Sequence, residues 1–298
     1  MIKTLINLYR FARNSPLTRG KLFSVYSRFW KWQIASRLLN MPVVFPLANN
    51  TRLIMNKGMH GATGNYYLGL MEFADMSFVL HFLREDDFFL DIGANVGVYT
   101  VLGSGVCHAR TIAIEPIAET VSTLNDNVAL NQLYDRVTVL NIGLADQEGE
   151  LVFTNNEDTN NHVIAKGKNE TLKGSKIETK TLDSLCSDAS PILIKIDVEG
   201  FEKQVLDGGC KTLDDDSDLC VVIMELNGSG RRYGIEDDDI HNLMLDKGFE
   251  CYSYDPLSRR LKKLPTYGSH NTIYIRDPDI VKDRILSAPK FTVLGNKI

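Results

Sequence analysis

The run Phe89-Leu90-Asp91-Ile92-Gly93-Ala94-Asn95-Val96-Gly97 constrains this chain more than any other. A short apolar stretch ends in a carboxylate and passes, between two glycines, into a second apolar stretch suited to a helix. Glycine is demanded where a backbone turns sharply and approaches a ligand closely, and the helix that follows opens with unsatisfied N–H groups. A strand, a glycine-bounded turn and a helix in this order predict the first crossover of a parallel α/β sheet and a site for a nucleotide-like ligand.

The chain beyond that run keeps the rhythm. Apolar, β-rich segments at Phe88–Ile92, Arg110–Glu115, Val137–Ile142, Ile192–Asp197, Leu219–Leu226, Glu250–Tyr254 and Thr272–Arg276 predict seven strands. Helices are predicted between them over Val96–Val106, Ala118–Asn131, Phe201–Asp207 and Asp239–Asp246, the last capped by Asp239. The fold class is therefore α/β, a doubly wound, Rossmann-like sheet of seven mostly parallel strands. Alternating residues in 148–181 predict a β excursion that borders a substrate pocket. Residues 254–263 predict a turn and a second excursion, which makes the final strand antiparallel.

Residues 1–85 read differently, as a basic helical extension ahead of a catalytic domain at 86–298. Leu5, Leu8, Tyr9 and Ala12 recur at helical spacing, as do Phe23, Tyr26, Phe29, Trp30 and Ile34. Glu72–Leu83 predicts a further helix. Residues 1–40 hold eight Lys and Arg and no acid, so the net charge of −5 leaves −13 for the remainder. This arm is expected to dock on the acidic body, with peripheral contact on an anionic membrane as the second reading. No apolar run reaches the ~20 residues of a membrane span. The expected location is cytoplasmic, at the inner face of a membrane if the second reading holds. The five cysteines are scattered without metal-ligand or redox spacing and read as reduced thiols.

A dinucleotide fingerprint has the spacing G-x-G-x-x-G, whereas this chain has G-x-x-x-G. Asp91, two residues ahead of Gly93, repels a pyrophosphate and suits the ammonium of a methionine moiety. Glu115, in Ile114-Glu115-Pro116 at the end of the second predicted strand, can accept hydrogen bonds from two ribose hydroxyls. Carboxylates at two adjacent strand ends face one crevice, which favours S-adenosylmethionine over a nicotinamide dinucleotide. Its adenine is expected near Asn141 and Gly143.

Four motifs together, Asp91-Ile-Gly-Ala-Asn-Val-Gly97, Ile114-Glu-Pro116, Thr181-Leu-Asp183 and Lys195-Ile-Asp-Val-Glu-Gly200, resemble the FkbM methyltransferase family over residues 89–276. The resemblance implies a class I methyltransferase fold, S-adenosylmethionine as donor, and O-methylation of a sugar, polyketide or other metabolite hydroxyl. It carries Asp91, Gly93, Asn95, Gly97 and Glu115 over as cofactor positions, and Asp197 and Glu199 as signature positions.

The expected activity is O-methylation of a carbohydrate or related metabolite in polysaccharide biosynthesis. The alternatives are RNA or protein methylation and noncatalytic cofactor binding. The partner is a small-molecule or glycan acceptor, and the acidic body argues against nucleic acid. A hydroxyl needs its proton drawn away, so Asp197, Glu225 and His270 are candidate bases, with Glu199 a substrate contact. Lys195 reads as a solvated or paired amine, and helix capping or a salt bridge with Lys195 is the alternative role of Glu199. Asp197, Glu225 and Asn227 resemble, by position only, the magnesium ligands of catechol-type O-methyltransferases. A divalent metal is chemically admissible but not favoured, and no metal ligand is assigned. The acidic runs at Asp214–Asp216 and Glu236–Asp239 read as solvated loops and helix starts.

Overall fold

In the computed structural model, which describes residues 2–38, 41–154, 161–164, 174–214, 218–268 and 270–298, the basic arm forms two helices, α1 (Ile2–Asn14) and α2 (Leu22–Leu38). Leu8 and Ala12 of α1 cluster with Val25 and Phe29 of α2 and with Leu68. The spacing read from sequence thus supplies a buried face. Next comes a hairpin that sequence reading missed, β1 (Val43–Pro46) and β2 (Arg52–Met55), paired antiparallel with Val43 opposite Met55. The Thr51 hydroxyl closes its turn by donating to the Ala48 carbonyl at 2.7 Å. Four-residue strands are too short to show a readable alternation.

Helix α3 (His60–Leu68) leads to α4 (Phe73–Phe82), which is buried at every residue from Met76 to Phe82. A helix enclosed all round belongs to a core. Phe45, Leu53 and Met55 of the hairpin and Phe78 and Phe82 of α4 join one apolar cluster with Phe89.

The sheet begins at β3 (Phe88–Ile92), and α5 (Val98–Thr100) widens into π-helical turns over Val101–Val106. β4 (Arg110–Ile114), α6 (Ala118–Leu130) and β5 (Val137–Leu140) follow. The expected excursion is a separate sheet of β6 (Gly143–Leu144), β7 (Gly149–Thr154) and β8 (Gly174–Lys180), in the order β6-β8-β7. A short helix, α7 (Leu182–Leu185), is capped by the Thr181 hydroxyl, which accepts from the Ser184 N–H at 3.1 Å. β9 (Leu193–Ile196), α8 (Glu202–Asp207) and β10 (Val221–Glu225) then rebuild the main layer.

Helix α9 (Asp237–Asp246) starts before the expected Asp239, because the Asp239 carboxylate accepts from the Glu236 N–H at 3.2 Å and so sits inside the first turn. Asp215 and Asp216 of the other acidic run lie outside the described residues. The chain continues through β11 (Glu250–Asp255), β12 (Arg260–Lys263), β13 (Asn271–Ile275) and α10 (Pro278–Ser287).

The main sheet runs β12-β11-β13-β10-β9-β3-β4-β5. From β10 to β5 the neighbours are parallel, while β13 is antiparallel to both β10 and β11, as expected for the final strand. The sheet has eight strands, not seven. The basic run expected as a loop excursion pairs with β11 as β12, since an edge strand can hold Arg260, Lys262 and Lys263 in water. This is the class I methyltransferase architecture.

Side chains alternate between two cores: Phe89, Leu193, Val221 and Ile223 on one side, and Leu90, Ile92, Ile194, Ile196 and Val222 on the other. The chain winds outward through β4 and β5, then returns to lay β9 on the opposite flank of β3. The crevice for a ligand opens where that direction reverses, at the carboxyl ends of β3 and β9.

Phe78 is fully buried, with ring centroids 5.5 Å from Phe82 and 5.4 Å from Tyr254. Phe78→Ala is expected to cost ~3–5 kcal/mol, measured by urea denaturation. A loss below ~1 kcal/mol would mean that α4 is not integral to the core.

Candidate active site

The chain leaves β3 at Gly93, where φ is 77°. The Gly93 and Ala94 N–H groups both donate to the Ile114 carbonyl at 2.9 Å, drawing the turn across the end of β4. A Cβ on Gly93 would lie 1.8 Å from the carbonyl oxygen of Asp197, so only glycine lets the ends of β3 and β9 meet. Asn95, at φ 50°, donates its N–H to Glu115 Oε2 at 3.0 Å, while Glu115 Oε1 accepts from the Ile117 N–H at 3.0 Å. The turn is thereby tied to the carboxylate expected to bind a ribose. Each oxygen of Glu115 keeps a lone pair for a further donor.

A cavity of about 340 Å³ opens above this turn. Asp91, Gly93, Asn95, Glu115, Gly143, Asp197, Glu199 and Glu225 all line it. The two carboxylates at the ends of β3 and β4 therefore share one opening, as a bound S-adenosylmethionine requires. Gly61, Asn65, Met71, Glu72 and Met76 supply a wall from the N-terminal segment, and Phe153 and Asn161 supply another from the excursion. The β excursion thus borders the pocket, as its alternation predicted.

Three expected residues do not line the cavity. Asn141 is exposed, and its amide donates to the carbonyls of Glu115 and Pro116 at 3.0 and 2.8 Å, so it secures the turn after β4. Gly97 is a packing position: a Cβ there would stand 2.3 Å from Leu124 of α6. His270 is exposed at the start of β13, where its carbonyl accepts from the Leu226 N–H at 2.9 Å. Pairing of the strand ends holds that backbone in the sheet, with the imidazole outside the cavity.

Among the described residues the cavity wall carries six carboxylates, Glu72, Asp91, Glu115, Asp197, Glu199 and Glu225, against the single amine of Lys195. Burial raises Asp91 to about 6, opposed by the Thr100 hydroxyl that donates to it at 2.5 Å and by Lys195. Glu115 rises to about 7, chiefly through burial, against its two backbone donors. Burial and repulsion by Asp197 raise Glu199 to about 7; those causes, with Glu199 itself, raise Glu225 to about 8. Such a wall is deficient in positive charge and suits a cationic ligand.

Lys195 is buried in β9, with its amine 3.0 Å from Asp197 Oδ2 and 5.3 Å from the centre of the Tyr99 ring. Burial disfavours its charge, but Asp197, Glu72 and Asp91 outweigh that cost and raise its pKa. Its partner is Asp197, not Glu199. The Glu199 backbone, at φ 54°, turns the chain between Asp197 and Gly200.

Carboxylate oxygens of Asp197, Glu199 and Glu225 lie within 4.8 Å of one another, a spacing that would admit a divalent cation. Asn227 does not join them. It is exposed, and its amide oxygen accepts from the Ser229 N–H at 2.9 Å and from the Ser229 hydroxyl.

Glu72, Tyr99 and Lys195 escaped the list of site residues. The Tyr99 hydroxyl donates to Glu72 at 2.7 Å, an encounter between segments that no local pattern announces. Lys195 did leave a signal. A charged residue in a central strand buried on both faces must have an enclosed partner, because no face of that strand meets water.

The family model for the Methyltransferase FkbM domain matches residues 91–251. The hexuronic acid methyltransferase AglP of Haloferax volcanii is 26% identical over 166 residues, covering 54% of this chain and 62% of that enzyme. The match thus spans less than two thirds of that relative's length. Methyltransferase sdnD of Sordaria araneosa is 27% identical over 214 residues, covering 60% of this chain and 79% of its own. Among solved structures, the precorrin-6y C5,15-methyltransferase of Geobacter metallireducens covers 69% of this chain and 88% of its own, with a TM-score of 0.39 at 12% identity.

The shift at Glu225 gives a signed pH dependence. Its folded value of about 8 exceeds the ordinary 4.5, so the folded protein holds a proton that the unfolded chain releases, and stability falls as pH rises between those values. Glu225→Gln is expected to melt above the parent near pH 8, with the gap closing towards pH 5. Melting curves that stay parallel across that window would contradict the burial and repulsion described.

Proposed function

This chain belongs to the FkbM methyltransferase family, and from that premise we propose that it transfers a methyl group from S-adenosylmethionine to a hydroxyl oxygen of a carbohydrate or related metabolite. The observation that carries the reading is the shared cavity of Asp91, Glu115 and Asp197, closed beneath by Gly93. When bound, S-adenosylmethionine supplies an electrophilic methyl group on a sulfonium centre. Glu115 would accept from the ribose hydroxyls with its remaining lone pairs, and Asp91 would hold the ammonium. Gly93 lets the turn beneath that site close against the Asp197 carbonyl.

Asp197 is the residue suited to receive the acceptor proton. Burial and mutual repulsion raise Glu199 to about 7 and Glu225 to about 8, so both hold a proton more readily than an ordinary glutamate, whereas Asp197 is paired with the Lys195 amine. Asp197 would take the proton of the acceptor hydroxyl during methyl transfer and release it to solvent. Lys195 positions that carboxylate and offsets its charge. Orientation by the cavity walls supplies much of the remaining acceleration.

A carbohydrate acceptor draws support from the name of the archaeal relative, a hexuronic acid methyltransferase. We read the reaction as a step in the biosynthesis of polysaccharides or related glycans. Carboxylates along the wall accept from sugar hydroxyls and disfavour a polyanionic RNA strand.

Calorimetry with S-adenosylmethionine, followed by labelled methyl transfer to a panel of hydroxylated glycans and metabolites, tests this reading. Asp91→Asn is expected to weaken cofactor binding ~10–100-fold, the range of a lost charge-assisted hydrogen bond. Asp197→Asn is expected to lower turnover ~10²–10⁴-fold while cofactor affinity stays nearly unchanged. No binding by the parent, or normal turnover by Asp197→Asn, would overturn the respective assignment. Turnover is expected to survive exhaustive chelation, because Lys195 and retained protons balance the carboxylates. Loss of activity restored by magnesium would assign Asp197, Glu199 and Glu225 to a metal instead.

A further inference from the structure

Helices α1 and α2 have no part in the chemistry above, yet α2 is built with two apolar sides. Val25, Phe29, Trp32 and Ser36 are buried, and their spacing places them on one face of the helix. Phe23, Trp30, Ile34 and Leu38 are 90, 44, 57 and 77% exposed. At 3.6 residues per turn these four fall within one arc, opposite the buried face, and form a line roughly 22 Å long. Single exposed apolar residues are ordinary on a protein surface, but four large ones aligned on one helix require a reason.

The charges beside that line supply the reason. Lys31 and Arg37 are exposed and flank the stripe on either side, and residues 1–40 contain no acid. On α1, Ile6 and Phe11 are exposed together with Arg10 and Arg13. An apolar strip with basic rims suits the boundary of an anionic bilayer, where the side chains enter the acyl region and the cations remain among the headgroups. Among the described residues no helix is long and apolar enough to cross a membrane, so the fitting geometry is a helix lying in the surface. A second copy of the same face is a poor partner, because two such cationic strips repel.

We infer that α2 docks this protein on an anionic membrane through Phe23, Trp30, Ile34 and Leu38, with Lys31 and Arg37 engaging the headgroups. Helix α2 packs on α3, and Gly61 and Asn65 of α3 line the catalytic cavity. Docking therefore puts the membrane surface one helix away from a wall of that cavity, about one helix diameter or ~10 Å.

Flotation of the full-length protein with vesicles of phosphatidylcholine, alone or mixed with phosphatidylserine, tests the inference. The parent is expected to float only with the mixed vesicles and to be released by high salt. Replacing Phe23, Trp30, Ile34 and Leu38 by Ser, all exposed positions, is expected to abolish flotation while leaving the melting temperature nearly unchanged. Lys31→Gln with Arg37→Gln is expected to weaken partitioning about thirtyfold, the effect of two cations lost near an anionic surface. The inference is overturned if the parent fails to float with phosphatidylserine at low salt, or if both sets of substitutions leave flotation intact. Light scattering covers the other occupant: a dimer dissolved by the Ser substitutions, without flotation, would assign the stripe to self-association.

Discussion

The Gly93 turn lies so close to the Asp197 carbonyl that neither strand end could be placed without the other, and the rest of the site inherits that contact. With no Cβ between them, β3 and β9 bring two carboxylates to the rim of one crevice, at the point where the winding of the sheet reverses. Glu115 extends the arrangement by one strand, since its side chain clamps the backbone of Asn95 while its remaining lone pairs face the cavity. A methyl donor that is cationic at sulfur and at nitrogen is what such a rim can hold.

Charge balance is the second constraint. Among the described residues, six carboxylates line a cavity with one amine, and water does not screen those that are buried. The protein absorbs the imbalance in two ways: Lys195 is kept protonated inside the sheet, and Glu199 and Glu225 hold protons to higher pH than usual. Both devices separate Asp197 from its neighbours. Among the described residues, it is the one of the three carboxylates at the mouth that forms a salt bridge, with Lys195.

Much of the fold was legible because its signals are local. The strand–turn–helix at 88–100, the final antiparallel strand and the excursion after β5 each follow from periodicity and turn residues within a short window. β12 was less legible, since an edge strand needs apolar residues on neither face and its composition is that of a loop. The same limit hid the β1–β2 hairpin, which earns its place through the cluster it joins with α4 and β3. Among the site residues, the glycine and the acids at strand ends were readable from position. Asn141 and His270 were misplaced because a residue near a strand end can turn its side chain either way, and backbone carbonyls and solvent claimed theirs.

The sequence by itself determined the α/β winding, the glycine turn and the carboxylates at neighbouring strand ends, because each depends on chemistry within a few residues of chain. Tertiary structure alone decided that Lys195 faces Asp197 inside the sheet, that Glu72 reaches Tyr99 from the N-terminal segment, and that α2 turns one apolar face outward. The physical reason is common to all three. Burial and charge pairing depend on which surfaces meet across the fold, and residues distant in the chain supply those surfaces.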